Sequence, residues 1–269
     1  MLVVYSPACL EFGTPGHPES AERVKRIHDV LKGKGFRFGG AAPATKEDVL
    51  LVHTREHFEK VSRKSYGDAE TPAIDVKYPL LAAGVTIEAA KNLGFALTRP
   101  PGHHAGPDSL EGFCYFNNVG IAVKKLAQKT AILDLDIHHG NGTEEIFMGD
   151  SNVIYASLHQ FPLYPMTGLR SDKNCHNFPL SPGTDEDTYL KTLRKALDVI
   201  ERFRPELLAV SMGFDTYKGD PLGGQSITEQ GYARIGKMIK DINFPTFIAL
   251  EGGYSKAIGK LCWSFLKEF

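Results

Sequence analysis

Five short runs of the chain are apolar, rich in β-branched or aromatic side chains, and closed by glycine, proline or polar residues, the pattern of buried strands. They lie at Gly94 to Leu97, Thr130 to Leu135, Val153 to Leu158, Leu207 to Ser211 and Pro245 to Leu250. Between them, apolar positions recur at helical spacing over Ala21 to Leu31, Pro79 to Asn92, Asp185 to Phe203 and Glu229 to Ile242. Thr184 before Asp185, Glu186 and Asp187 predicts an N-cap followed by acids at the positive helix end, and Thr228 before Glu229 repeats the signal. Strands alternating with helices predict an α/β fold with a mainly parallel sheet covered on both faces. Ligands of such sheets bind beyond the carboxyl ends of the strands. The unusual polar residues fall there: Arg99 to His104 after one strand, Asp134 to Gly142 at a second, Gly213 to Asp215 at a third and Glu251 to Tyr254 at a fourth.

Composition narrows the classes. A chain of 269 residues with 42% hydrophobic and 23% charged residues excludes disordered, collagenous and disulfide-scaffold proteins. No repeat or Pro/Ser-rich linker marks a boundary, so a single domain over 1–269 is expected. A net charge of −1 gives no global attraction to nucleic acid or anionic lipid, so neither is expected as a partner. Cys9, Cys114, Cys175 and Cys262 are scattered and form no CxxC pair, which points to a reducing compartment, the cytoplasm, and away from thiolate metal sites. The opening MLVVYSPACL is too short for a membrane span and lacks a basic flank; it reads as a strand.

Asp134, Asp136 and His138 alternate with Leu135 and Ile137, so in extended chain one face becomes a row of candidate ligands. Carboxylates among apolar residues are costly to bury unless paired or bound to a cation, and Asp215 brings a further carboxylate from another strand end. Two carboxylates and an imidazole would neutralise a divalent cation and leave a coordination position open, as catalytic sites do. Zinc is the first choice; Fe(II), Co(II) and Mn(II) also suit oxygen-rich ligands. His103 and His104, stiffened by Pro100-Pro101-Gly102, are candidates for the acid and base that amide hydrolysis requires, with Asp134 and Asn141 available to fix their tautomers. Tyr254, after two glycines, is the candidate oxyanion donor. His17, His28, His53, His57, His159 and His176 read as surface or structural residues, although His17 lies in a Gly-rich loop that could border the pocket; His139 reads as packing beneath the site, and Cys114 as a small buried hydrophobe.

Taken together, RPPGHH, GFCYFNN, DLDIHHGNGT, GFD with GDPLG, and EGGY occur in the order seen in the histone deacetylase family of the arginase/deacetylase superfamily, which this chain resembles from Gly16 to Tyr254. HHGNGT, with Asn141, is similar to the class II branch and to acetoin-utilisation and acetylpolyamine amidohydrolase relatives. The resemblance implies a three-layer α/β/α fold and hydrolysis of the N-acyl amide of lysine-like side chains, in a protein, peptide or small amine. It implies Asp136, His138 and Asp215 as metal ligands, His104 as general base held by Asn141, His103 oriented by Asp134, and Tyr254 as donor to the oxyanion. Gly112 would accept the substrate amide through its carbonyl, and Phe113 and Tyr164 would wall the channel. A structural potassium ion is implied at Asp134, Asp136, His138, Ser157 and Leu158.

Departures from the family pattern sharpen the expectation. Leu222 stands where polyamine-selective relatives carry an acid, favouring acyl-lysine; the segment Gly67 to Tyr78, where deacetylases place an acid that grips the substrate backbone, is shortened and could use Asp68 or Asp75, with no choice between them. An arginase-type ureohydrolase needs more bridging carboxylates, and Tyr217 occupies the place of its second Asp. A non-catalytic acyl-lysine-binding protein would need the channel but not the full acid/base set.

Overall fold

Side-chain alternation along the strands divides the apolar residues between two faces. The computed structural model describes residues 1–269 and contains eight strands: β1 (Leu2–Tyr5), β2 (Arg37–Gly39), β3 (Phe95–Leu97), β4 (Thr130–Asp134), β5 (Val153–Gln160), β6 (Cys175–Leu180), β7 (Leu207–Met212) and β8 (Thr246–Leu250). Nine helices join them: α1 (Ala21–Gly33), α2 (Lys46–Val49), α3 (Arg55–Ser62), α4 (Lys77–Lys91), α5 (Asn118–Leu126), α6 (Asn141–Phe147), α7 (Glu186–Phe203), α8 (Glu229–Asp241) and α9 (Ile258–Leu266). The strands form one all-parallel sheet in the order β2-β1-β3-β8-β7-β4-β5-β6.

Leu208, Val210 and Met212 of β7 meet Ile248 and Leu250 of β8 in a core covered by α1, α7, α8 and α9, while Leu207 and Ala209 meet Phe247 and Ala249 in a second core under α4 and α5. The result is the three-layer α/β/α arrangement. In α7 the inward stripe is Tyr189, Leu190, Leu193, Ala196, Leu197 and Ile200, and burying each Leu or Ile of it contributes about 1.5–3 kcal/mol.

All five expected strands form, with ends trimmed or extended by a residue or two: Gly94, Leu135 and Pro245 lie outside β3, β4 and β8, and β5 continues to Gln160. The cap of α7 is Asp185 rather than Thr184. The Asp185 carboxylate accepts from Thr188 N at 2.7 Å, while the Thr184 hydroxyl donates back to Ser181 O. Thr228 caps α8 as expected, accepting from Gly231 N. Helix α4 starts at Lys77, with Pro79 in its first turn, where a missing N–H costs nothing. Its Gly84 lies so close to the Ala42–Ala44 backbone that a Cβ would collide with it.

Candidate active site

The four strands that carry the polar motifs, β3, β8, β7 and β4, are consecutive neighbours in the sheet. Their carboxyl ends therefore open side by side.

At the end of β4 the ladder stops at Asp134, and the chain bends instead of continuing extended. Asp134, Leu135, Asp136 and Ile137 are all fully buried, and His138 keeps partial exposure. The freed backbone amides find carboxylates. Asp136 N donates to Asp134 Oδ1 at 3.2 Å, His138 N to Asp136 Oδ1 at 2.9 Å, and Ile137 N to Asp215 Oδ1 at 2.9 Å. These bonds fix the carboxylates before any ligand arrives.

Asp136, His138 and Asp215 each offer one ligand atom, all within 4.8 Å of one another. His138 Nδ1 lies 3.0 Å from Asp136 Oδ1 and 3.4 Å from Asp215 Oδ2. Asp215 is fully buried, yet its Oδ2 has no hydrogen-bond partner, an expensive arrangement that a cation would relieve. Burial and the neighbouring Asp136 charge push the Asp215 carboxyl up to about 7. His138 is subject to the opposite balance: burial disfavours its charge, but Asp136 and Asp215 outweigh it and raise the imidazole to about 10. A buried oxygen without a partner beside an imidazole nitrogen and a second carboxylate fits a divalent cation. Gly252 makes the cluster possible, because a Cβ there would run into both Asp215 and Asp136.

The histidine pair adjoins this cluster, with His103 Nε2 3.9 Å from Asp136 Oδ1. Gly102 N and His103 N donate to Glu251 Oε2 at 2.8 and 3.3 Å, so the end of β8 holds the loop after β3. His103 Nδ1 donates to Asp134 Oδ2 at 3.2 Å, and His104 Nδ1 donates to Asn141 Oδ1 at 2.8 Å. Each imidazole thus has the partner expected for it. Their charges diverge. Burial opposes charge on His103, but Asp136 and Asp134 override it and lift the ring to about 10. Burial, reinforced by His103 and His138, holds His104 well below the usual histidine range, the direction that favours its neutral form.

A cavity of about 340 Å³ receives His103, His104, His138, Phe113, Tyr164 and Tyr254, with Leu222 and Gly112 also on its wall. Phe113 holds a left-handed φ of 68°, next to Gly112 at 57°, a conformation that a bulky residue adopts at a cost. A Cβ at Gly112 would strike the His104 ring. Tyr254 is aimed by its backbone: Tyr254 N and Ser255 N donate to Asp220 Oδ2 at 2.6 and 2.9 Å, and the Arg23 guanidinium lies 4.6 Å from the ring centre. Burial pushes its phenol well above the usual range and keeps it a neutral donor. Ser157 and Leu158 lie in β5, with Ser157 the register partner of Asp134.

Neither acid suggested for gripping a substrate backbone, Asp68 or Asp75, is among the residues lining the cavity. Asp68 accepts from Glu70 N and Thr71 N, at 2.9 and 2.6 Å, and Asp75 accepts from Lys77 N at 2.9 Å, so both carboxylates serve their own backbone. Glu70, held by the Asp68 turn, is the acid that lines the pocket. Sequence reasoning also missed Glu251, Asp220 and Glu111, loop acids with no spacing signal, although Glu251 stood within the EGGY motif. The bland histidines are as expected where the contacts are clear. His53 and His57 are buried, His53 Nδ1 donating to Gly106 O and His57 Nε2 to Tyr115 O. His139 is buried against Thr167 and Glu144, and His17 meets Phe113 edge-on at 4.7 Å.

Comparison with known proteins agrees with this geometry. The histone deacetylase domain matches residues 17–268. A probable deacetylase of Archaeoglobus fulgidus is 37% identical over 90% of this chain and 77% of its own length. The crystal structure of the HDA15 HD domain superimposes with a TM-score of 0.93 at 33% identity, covering 99% of this chain and 90% of that one. Acetylpolyamine aminohydrolase from Burkholderia pseudomallei superimposes with a TM-score of 0.92 at 27% identity, over 100% of this chain and 98% of that one. The chain belongs to the histone deacetylase family.

Proposed function

We propose that the protein hydrolyses the N-acetyl amide of lysine-like side chains, releasing a carboxylate and a free amine, with a divalent cation held by Asp136, His138 and Asp215. The observation that carries this is the meeting, in one pocket, of that cluster and its partnerless buried oxygen with the His103–His104 pair and Tyr254. Zinc is the cation first favoured by the donor set, with Fe(II), Co(II) and Mn(II) as alternatives; when bound, it supplies Lewis-acid activation of water and of the acyl carbonyl. His104, neutral and bonded through Nδ1 to Asn141, takes a proton from the attacking water as the oxygen–carbon bond forms. Tyr254 donates its phenolic hydrogen to the carbonyl oxygen as negative charge develops there. The carbon–nitrogen bond then breaks, and a protonated histidine of the pair gives its proton to the leaving amine. His103, bonded to Asp134, supplies the second positive imidazole beside the reacting centre.

Phe113 and Tyr164, both on the cavity wall, would flank the substrate's methylene chain, and the carbonyl of Gly112 would accept the substrate amide N–H. Leu222 gives the mouth an apolar contact. Glu70, rather than Asp68 or Asp75, is the carboxylate that would accept from a substrate backbone or hold a distal ammonium. That acid favours a second substrate class, small acylated amines carrying another positive charge. A potassium ion near Asp134, bound through oxygens of Asp136, His138, Ser157 and Leu158, would buttress the ligand strand. Residues 1–269 act as one catalytic domain, since the rim of a single sheet supplies the site. The four cysteines are buried and unpaired, which suits a cytoplasmic enzyme, and no helix is long and apolar enough to cross a membrane.

The deciding comparison is turnover of an acetyl-lysine peptide against acetylputrescine, for the zinc-loaded protein and its Glu70→Gln variant. Preference for the peptide that persists in the variant supports acyl-lysine; preference for acetylputrescine that disappears with Glu70 supports the small-amine reading. Hydrolysis of neither substrate overturns both.

A further inference from the structure

Glu111 precedes Gly112 in the turn that forms the pocket wall, and its one carboxylate serves two active-site residues. Oε1 accepts from Asn141 Nδ2 at 2.5 Å, and Oε2 accepts from the Tyr164 hydroxyl at 3.3 Å. The other end of the Asn141 amide, Oδ1, accepts from His104 Nδ1 at 2.8 Å. The Tyr164 ring stands edge-on to the His104 imidazole, with centroids 5.3 Å apart. Glu111 is half-buried and anchored by its own backbone, its carbonyl accepting from Cys114 N at 2.9 Å.

We infer that Glu111 is a positioning residue that sets the tautomer of His104. An asparagine amide is nearly symmetrical in shape, so only its partners decide which end faces which neighbour. A carboxylate accepts from Nδ2–H and repels Oδ1; with Glu111 on one side, the oxygen must face His104. An oxygen facing His104 Nδ1 requires a hydrogen on that nitrogen, and the neutral ring then carries its lone pair on Nε2, toward the pocket. Freed from Glu111, the amide can turn over and offer Nδ2–H to Nδ1. The imidazole hydrogen then moves to Nε2, and the ring can no longer accept a proton from water there. The second bond holds Tyr164 against the same imidazole, so one carboxylate fixes both the hydrogen-bond and the packing partner of His104. The consequence for rate rests on His104 being the base proposed above; the tautomer itself does not.

The test uses the zinc-loaded full chain, labelled with ¹⁵N-histidine, as wild type and as the Glu111→Met, Glu111→Gln and Tyr164→Phe variants. Thermal midpoints establish that each is folded, nitrogen chemical shifts report the His104 tautomer, and kcat and KM are measured on an acetyl-lysine peptide. Wild type is expected to show the Nδ1–H form. Glu111→Met, close in size but without an acceptor, is expected to populate the Nε2–H form and to lower kcat on the order of tenfold or more, as loss of orienting partners commonly does. Glu111→Gln, whose amide oxygen can still accept from Asn141 Nδ2, should recover most of both. Tyr164→Phe should raise KM and leave the tautomer as in wild type. An unchanged tautomer in folded Glu111→Met overturns the inference, as does a tautomer change of equal size in Tyr164→Phe. Should Glu111→Met fail to fold, the comparison passes to Glu111→Ala, which likewise leaves Asn141 Nδ2 without its acceptor; an Nε2–H form there supports the inference, and an unchanged Nδ1–H form overturns it. If wild type hydrolyses no acyl amide, the proposed reaction falls while the tautomer comparison still decides the role of Glu111.

Discussion

Replacing Tyr254 by Phe removes one hydroxyl and leaves in place what positions the ring. The bonds from Tyr254 N and Ser255 N to Asp220 are made by the backbone, and the Arg23 stack and the edge contact with Phe113, at 5.9 Å between centroids, need only an aromatic face. Folding should therefore be little affected. If the hydroxyl donates to the oxyanion, its loss should cost about what other single oxyanion donors cost, a factor of about 10² to 10³ in kcat, or about 2.7–4 kcal/mol. Because that bond strengthens as charge develops, the loss should fall on kcat, with KM within about threefold of wild type. The assay is steady-state hydrolysis of an acetyl-lysine peptide by the zinc-loaded variant, with a thermal melt to establish folding. A folded variant whose kcat stays within about threefold of wild type would refute the assignment, and so would an effect confined to KM.

Other consequences are as direct. Asp215→Ala should abolish stoichiometric binding of one zinc ion, measured by elemental analysis after dialysis, because it removes a carboxylate from a three-ligand cluster; retention of tight one-to-one zinc would contradict the ligand set. Since His138, raised to about 10, must lose its proton to bind a cation, zinc affinity measured by competition with a chelator should rise with pH from 6 to 8, and a flat profile would be inconsistent. Glu19 is buried and accepts from Arg99 at 2.8 and 2.6 Å and from Arg23 at 3.1 Å. Glu19→Ala strands two buried guanidinium groups and should lower unfolding stability by about 3–5 kcal/mol in urea titration; a change below about 1 kcal/mol would show that the network is dispensable. His53 is locked neutral, with Nδ1 donating to Gly106 O and Nε2 accepting from Asn117 N, and burial together with His57 lowers it to about 3. The unfolded chain therefore takes up that proton first, so stability is complete above the ordinary histidine value and is lost as pH falls from about 6.5 toward 3, by about 1.4 kcal/mol per pH unit for one proton. Urea unfolding across that range should show a slope about one proton smaller in His53→Gln, and an equal slope in both proteins would disprove the contribution.

The sequence made the strand ends legible because each is a local event, an apolar run followed by a break that carries Asp, His or Tyr. Their adjacency was not legible: β3, β8, β7 and β4 are neighbours through pairings between residues far apart in the chain, such as Phe95 with Ile248. The two outer strands carried weak signals. β2 is the three residues Arg37, Phe38 and Gly39, and β6 includes Pro179, tolerable there because it borders only β5. Helices α5 and α6 hide behind the motifs that precede them, and α2 and α3 are too short for a stable period. Metal-site and histidine assignments rested on recurring motifs, whereas Glu70, Glu111 and Asp220 are loop acids whose roles come from tertiary placement. Asp68 and Asp75 were favoured for their charge, but an Asp in a turn caps its own backbone amides first, and that is what both do.

The most direct test of the proposed metal-dependent deacetylase activity is hydrolysis of an acetyl-lysine peptide by metal-stripped protein titrated with zinc. Activity should be absent at the start, rise linearly to one equivalent of zinc, and release acetate and free amine in equal amounts. Full activity in the stripped protein, or none after one equivalent is tightly bound, would contradict the account.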